Sequence, residues 1–265
     1  MKNAPANGAT LLCLDCGNTR LKWGLWSREQ KCWLKQEACL LSDIARLKAD
    51  LASLPGVLRP SGMTGCIVAA SPVRLALEGI AQELSIHLHW NESRYSQCGV
   101  TNGYEEAARL GADRWAALIG AHHLQAATPC LVVNAGTATT VDHLDASGYF
   151  QGGLILPGLD LMRRALARET AQLPLAGGDF HALPRNTHTA ITSGCLQASA
   201  GAIERMFRPL AGNPGAVCLL SGGSASVIAP LLDIPLRRVE NLVLEGLARI
   251  ADSGSDSGPD PDPRT

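Results

Sequence analysis

The chain has 265 residues, of which 46% are apolar and 18% charged; it can bury a core for about one and a half to two domains and is not a disordered protein. Aromatic residues make up 4%, so that core has to be built from Ala, Leu, Val and Ile, and the 27 glycines follow no fixed period, which excludes collagen. With 23 basic against 24 acidic residues the net charge is −1, a balance that leaves no electrostatic footprint for DNA, RNA or an anionic membrane.

The first apolar run, Leu11 to Leu14, reads as a buried strand ending at Asp15-Cys16-Gly17-Asn18-Thr19. A second strand, Leu21 to Trp26, follows, and Gly-Asn between two strands signals a hairpin. Leu41, Ile44, Leu47, Leu51 and Leu54 give Leu40 to Leu54 helical spacing, closed by Pro55-Gly56. A buried strand is expected at Cys66 to Ala70, a helix over Pro72 to Leu84 and a short strand at Ile86 to Trp90. A helix over Tyr104 to Leu124, interrupted near Gly111, completes the first half.

The cycle then starts again. Leu131-Val132-Val133 is a strand leading into Asn134-Ala135-Gly136-Thr137, and strand character continues through Val141, Leu144 and, past a turn at Ser147-Gly148, Phe150. Leu12-Cys13-Leu14-Asp15-x-Gly17 lies over Leu131-Val132-Val133-Asn134-x-Gly136, which we read as a duplication. Helices are expected at Leu159 to Ala167 and Thr189 to Leu210, around a loop rich in Gly and Pro. A strand at Val217 to Leu220 runs into Ser221-Gly222-Gly223-Ser224, and helices at Ala225 to Leu232 and Leu242 to Ala251 close the fold. The expected division is a first domain over 8–127, a second over 128–252, and a disordered tail over 253–265 rich in Ser, Gly, Asp and Pro.

No apolar run reaches the roughly 18 residues of a membrane helix. Asp15 breaks the first apolar stretch, so a signal peptide is not expected and a cytoplasmic protein is. Nine scattered cysteines make no disulfide framework in a chain this large. Cys13 and Cys16 form a lone CxxC; without a second pair or a nearby His it reads as two small apolar fillers rather than a zinc or redox site.

Three glycine turns, at Gly17, Gly136 and Gly222-Gly223, each follow a buried strand. Singly such turns are ordinary; together they suit a nucleotide, because clustered backbone N–H groups cradle phosphate oxygens. Asn18, Thr19, Thr137, Thr139 and Thr140 add side-chain donors and Lys22 a cation. Asp15, at a strand end beside such a loop, suits Mg²⁺ held through water. There is no Walker A sequence and no kinase-type Gly-rich loop, so the nucleotide site has another design. Asp113 and Arg114 open a helix, where a carboxylate is favourable in any protein. His122-His123 reads as a solvated pair, and Arg163-Arg164 and Arg237-Arg238 as surface pairs.

The ordered set of motifs resembles the type III pantothenate kinases, of the sugar kinase/heat-shock ATPase/actin superfamily. The resemblance runs from Leu11 to about Ile250. It rests on Asp15-Cys16-Gly17-Asn18-Thr19, Asn102-Gly103-Tyr104, Gly111-Ala112-Asp113-Arg114-Trp115 and Gly136-Thr137-Ala138-Thr139-Thr140. Gly152 to Gly158, Asn186-Thr187 with Ala190-Ile191 and Gly194, Ser221-Gly222-Gly223 and Leu244-Glu245-Gly246-Leu247 continue it. It implies an α/β chain of two ribonuclease-H-like domains, each a mixed β-sheet flanked by helices, with ATP in the cleft between them. It implies transfer of the ATP γ-phosphoryl group to pantothenate, giving 4'-phosphopantothenate in the first step of coenzyme A synthesis, by a homodimer. Asp15, Cys16, Gly17, Asn18, Thr19, Arg20, Leu21 and Lys22 match the first phosphate loop, Gly136 and Thr137 the second, and Gly222 and Gly223 the adenosine loop. Asp113 matches the general base; Tyr104, Gly111, Ala112, Asp113, Arg114 and Thr187 match the pantothenate pocket.

One position departs from the family pattern. Asn134 stands where the family has an Asp that helps bind an activating monovalent cation, K⁺ or NH₄⁺. Asn offers a neutral oxygen, so weaker cation affinity or loss of the cation is expected. The alternative reading is a nucleotide-binding regulatory or transcription-accessory protein with weak or no turnover. Asn134 favours it, and Asp15, Asp113 and Arg114 oppose it.

Overall fold

A computed structural model describes residues 10–170, 172–175 and 177–254. The tail expected over 253–265 thus lies, beyond Gly254, outside the described residues. By backbone contact the chain forms two compact units. One holds the described residues up to His123 together with those from Val243; the other is Leu124–Leu242.

The first unit is built on β1 (Thr10–Cys16), β2 (Arg20–Ser27), β3 (Cys32–Leu40), β4 (Gly62–Ile67) and β5 (Leu88–Trp90), paired in the order β3-β2-β1-β4-β5. β1 is buried along its whole length, which is why its sequence is a continuous apolar run. Leu12, Leu14, Leu21, Trp23 and Leu25 share a core with Leu47 and Leu51 of α1 (Ile44–Ala52) and with Leu77 and Ile80 of α2 (Ser71–Glu83). Each such leucine, fully buried, contributes about 1.5–3 kcal/mol.

Two expectations shift here. β4 lies earlier than the expected strand over 66–70, because it runs beside β1 from the Leu11–Gly62 pair to the Cys16–Ile67 pair. Gly65 reads as a turn former but is required inside this strand, since a Cβ there would lie 2.9 Å from both the Leu14 side chain and the Trp90 ring. β3 has no counterpart in the sequence reading. It is an outer strand with Lys35, Gln36 and Glu37 at its middle, so it shows no alternation of apolar and polar residues.

A short hairpin follows, β6 (Ser96–Gln97) and β7 (Val100–Asn102), then α3 (Ala112–Leu124). The helix expected from Tyr104 starts only at Ala112; residues 104–110 are irregular apart from a 3₁₀ turn at Ala107–Arg109. Asn102 Oδ1 accepts the Tyr104 N–H, a local bond that competes with helix. From Arg114 to Ala121 every residue of α3 is buried.

The second unit repeats the design. β8 (Cys130–Ala135), β9 (Ala138–Leu144), β10 (Tyr149–Pro157), β11 (Val217–Ser221) and β12 (Leu236–Arg238) pair in the order β12-β11-β8-β9-β10. In each unit the first three strands are antiparallel neighbours and the last two run parallel to the first. β1 and β8 hold the same central place, so the duplication read from their sequences is a duplication of ribonuclease-H-like sheets. α4 (Leu159–Glu169), α5 (Thr187–Phe207) and the four-residue α6 (Ala225–Ile228) cover this sheet. Leu131, Val133 and Leu220 meet Ile203, Phe207 and Ile228 in its core.

α7 (Leu242–Asp252) was expected to stay with the second domain, but by contact all of it from Val243 belongs to the first unit. Trp26 Nε1 donates to Asp252 Oδ2 at 3.1 Å and Trp33 Nε1 to Glu245 Oε1 at 2.6 Å. The Arg249 guanidinium lies 4.9 Å from the Trp26 ring centre, and Gly246 is pressed against the Ala116 carbonyl of α3, where a Cβ has no room. Among the described residues no helix is long and apolar enough to cross a membrane.

Candidate active site

In the first unit the β1–β2 hairpin carries the expected first phosphate loop. Asp15 and Lys22 face each other across the strands, and Lys22 Nζ donates to Asp15 Oδ2 at 3.1 Å. The Gly17 N–H donates to the Arg20 carbonyl, closing a turn that leaves Asn18, Thr19 and Arg20 exposed. Leu21 is core, so it supports the loop from below. Burial pushes the Asp15 carboxyl above its usual range; Lys22 pulls the other way, and the negative charge of Asp113 adds to the rise. Burial likewise lifts the Cys16 thiol to about 11, so it stays neutral within the loop. Cys13 and Cys16 sit three apart on β1 and point to opposite faces of the sheet, the arrangement of fillers rather than of a shared ligand pair.

Asp113 sits in the first turn of α3, half-buried, and its Oδ1 accepts the Arg114 N–H at 2.8 Å. Gly111 makes room for that carboxylate, because a Cβ at Gly111 would lie 2.6 Å from Oδ1. Ala112 beside it is half-buried. Arg114 is buried, at 5% exposure. Its Nη1 donates to the Tyr104 hydroxyl at 2.7 Å, and its guanidinium lies 5.4 Å from that ring's centre. The first unit therefore brings together Asp15, Lys22 and Asp113, and separately joins Arg114 to Tyr104.

In the second unit Gly136, Thr137 and Ala138 form an exposed turn, closed by the Gly136 N–H donating to the Ala138 carbonyl at 3.0 Å. Two glycines hold it. Gly158 donates to the Thr137 carbonyl at 2.9 Å, with no space for a Cβ between it and the Gly136 carbonyl. Gly222 has φ +101° and lies against Ala135, whose N would be 2.7 Å from a Cβ. Asn134 Oδ1 is buried and has no hydrogen-bond partner.

Gly223 lines a cavity of about 630 Å³, walled also by Leu159 and Arg163 of α4, Cys195 and Leu196 of α5, and Phe180 and Val227. Arg163 was expected to be a plain surface residue; it lines this cavity and pairs with Asp160. The sequence reading missed this wall. Its residues are spread over 159–231 and share no motif, so only the packing of α4 on α5 collects them. Thr187 is the first residue of α5, exposed, behind an Asn186 cap whose side chain accepts the Thr189 N–H at 3.0 Å. It belongs to the second unit, whereas Tyr104 and Arg114 belong to the first.

The first unit by itself suits phosphoryl transfer: a glycine turn, a buried carboxylate beside a lysine, and a second carboxylate at a helix start. Among solved structures the fold is similar to a Baf family transcriptional activator from Campylobacter jejuni, with a TM-score of 0.58 at 17% identity over 91% of this chain and 98% of that one. A curated relative from Aromatoleum aromaticum, a type III pantothenate kinase, is 52% identical over 241 residues, 91% of this chain and 97% of its own. Another of the same description, from Azoarcus, is 47% identical over 91% of this chain and 90% of its own. The family model for type III pantothenate kinase matches residues 11–209, three quarters of the chain and nearly every site residue named above. With that match and those relatives behind the two glycine turns and the Asp15–Asp113 pair, the chain belongs to the type III pantothenate kinase family.

Proposed function

We infer that this chain phosphorylates pantothenate with ATP and so opens coenzyme A synthesis. The observation that supports it most is the contrast between two carboxylates of one unit. Asp15 is buried and tied to Lys22, while Asp113 is half-buried at a helix start with no lysine paired to it among the described residues. The first suits charge neutralisation and the second proton acceptance. The pantothenate hydroxyl oxygen bonds to the γ-phosphorus as the bond from that phosphorus to the β-bridging oxygen breaks. ADP leaves, and Asp113 takes the hydroxyl proton.

Asp15 through Lys22 and Gly136-Thr137 are the phosphate loops of this reading. Gly222 and Gly223 are the adenosine loop, with the nucleoside in the cavity of about 630 Å³, a size ordinary for such ligands. Tyr104, Gly111, Ala112 and Arg114 are the pantothenate residues of the first unit, where the Arg114 fork fits a carboxylate, and Thr187 is that of the second. Gly111 serves by leaving space for Asp113. A kinase of this family works with ATP and a divalent metal. The buried Asp15 carboxylate fits Mg²⁺, which when bound neutralises charge on the phosphates. The orphaned Asn134 Oδ1 fits a monovalent cation as one neutral oxygen ligand, held weakly. A homodimer in the cytoplasm completes the proposal; exposed Leu154 and Ile155 on β10 and Leu161 on α4 support the dimer alone. A non-catalytic accessory role is not favoured with Asp15 and Asp113 both in place.

ADP release from Mg-ATP, followed with and without pantothenate in K⁺ buffer, tests this reading. Release that depends on pantothenate is expected, slowing when Na⁺ replaces K⁺ if Asn134 still serves a cation. Folded protein that binds ATP and releases no ADP under any monovalent cation would overturn it.

Asp15 also gives a test in stability. Its carboxyl pKa is raised by folding, so the folded state favours the protonated form. Ionised Asp15 therefore costs stability as pH rises from the ordinary carboxylate value near ~3.9 through the raised one. Urea unfolding across that window should show Asp15→Asn gaining stability on wild type as pH rises, reaching its full gain above it. Mg-ATP should stabilise wild type more than the variant; equal stabilisation would remove the metal from Asp15.

A further inference from the structure

Asn102 has no role in the reading above, yet it is the most completely enclosed polar residue near the site, with 0% exposure. Its Nδ2 donates to two backbone carbonyls, Arg94 at 3.2 Å and Ala107 at 3.1 Å. Its Oδ1 accepts the Tyr104 N–H at 3.0 Å, and its own N–H donates to the Tyr95 carbonyl at 2.8 Å. The amide orientation follows from these partners, since only nitrogen can serve two carbonyls and only oxygen can serve an N–H. One side chain thereby ties together the irregular segment before the β6–β7 hairpin, the 3₁₀ turn at Ala107 and the backbone of Tyr104. Tyr104 lies outside the regular elements, and this amide holds its backbone N–H. Tyr104 in turn receives the Arg114 hydrogen bond at 2.7 Å.

We propose that Asn102 is a positioning residue for pantothenate binding: it fixes the backbone at Tyr104 so that the Tyr104 hydroxyl and the Arg114 guanidinium meet the acid together. The proposal rests on the assignment of Tyr104 and Arg114 to the pantothenate pocket. Only asparagine or glutamine carries both an acceptor and a two-hydrogen donor on one amide, and glutamine is one methylene too long for an enclosed site. Asn102 touches no reacting atom, so its removal is expected to change affinity for one substrate and leave the chemistry alone.

The experiment is a double-mutant cycle read in the KM for pantothenate, at saturating Mg-ATP, with Asn102→Ala, Tyr104→Phe and the pair. Asn102→Ser, which keeps one donor and leaves a smaller gap, is assayed beside Asn102→Ala and carries the cycle if the alanine variant does not fold. Asn102→Ala is expected to raise the KM for pantothenate about tenfold, with kcat and the KM for ATP within about twofold of wild type. In the Tyr104→Phe background the same substitution should add less than about twofold, because it acts through the Tyr104 hydroxyl. An equal rise in both backgrounds, or a loss shared by kcat and the KM for ATP, would mean a merely structural role and would overturn the proposal. If Tyr104→Phe alone leaves the KM for pantothenate unchanged, the pocket assignment itself falls, a result distinct from independence of the two residues.

Discussion

Asp113→Asn is expected to lower kcat by ~10²-fold or more, with the KM for ATP little changed. The substitution keeps the shape and the oxygen that accepts the Arg114 N–H, so the start of α3 and the space beside Gly111 are preserved. What it removes is the ability to take a proton. If the transition state is loose, the hydroxyl proton leaves late, and the first task of the carboxylate is to orient the hydroxyl for in-line attack. An amide oxygen can still accept a hydrogen bond but cannot finish the transfer. A loss of 10²-fold corresponds to about 2.7 kcal/mol of transition-state stabilisation. Steady-state ADP release on the purified variant measures it, and turnover equal to wild type would remove Asp113 from the reaction.

A large structural effect is expected at Gly222. Its φ of +101° disfavours any side chain, and a Cβ would overlap the Ala135 backbone directly below the Gly136–Ala138 turn. Positive φ on alanine costs ~1–3 kcal/mol, and forcing the Ala135 strand end aside costs a similar amount. Gly222→Ala should therefore lose several kcal/mol, a large fraction of what ordinarily holds a domain together. Chemical denaturation reads this loss. Gly223→Ala is the companion measurement, since no atom lies within 4 Å of a Cβ at Gly223. It should unfold as wild type does, within ~0.5 kcal/mol. A raised KM for ATP in that stable variant would mark nucleoside contact at the wall of the cavity. An unchanged KM would move the nucleoside elsewhere.

The glycine turns and the two carboxylates expected at the site stand at strand ends or a helix start that local sequence announces. Asp15 follows a buried apolar run, Asp113 follows Gly111, and Gly136 and Gly222 follow β8 and β11. The repeat of a buried strand, an Asx residue and a glycine pointed to the duplicated sheet, and the pairing of both sheets bears it out. Those features need only neighbours in the chain. Elements whose stability comes from distant partners were not legible. β3 is polar at its centre and exists because β2 offers it a free edge; β4 is placed by β1, so its glycines escape the usual rule for turns. Helix propensity over 104–110 is overruled by one buried amide, Asn102.

The sequence by itself thus determined the duplication, because burial period and turn residues are local properties, and its ordered motifs implied the fold class through their resemblance to a family. Only the tertiary structure decided that α7 returns to the first unit, that Arg163 lines a cavity, and that Gly158 and Gly222 are spacers for the loop between β8 and β9. Each of these depends on two segments far apart in sequence coming within contact of one another. Close approach of backbones leaves no periodic trace in the chain; it shows only as a missing side chain at the point of contact.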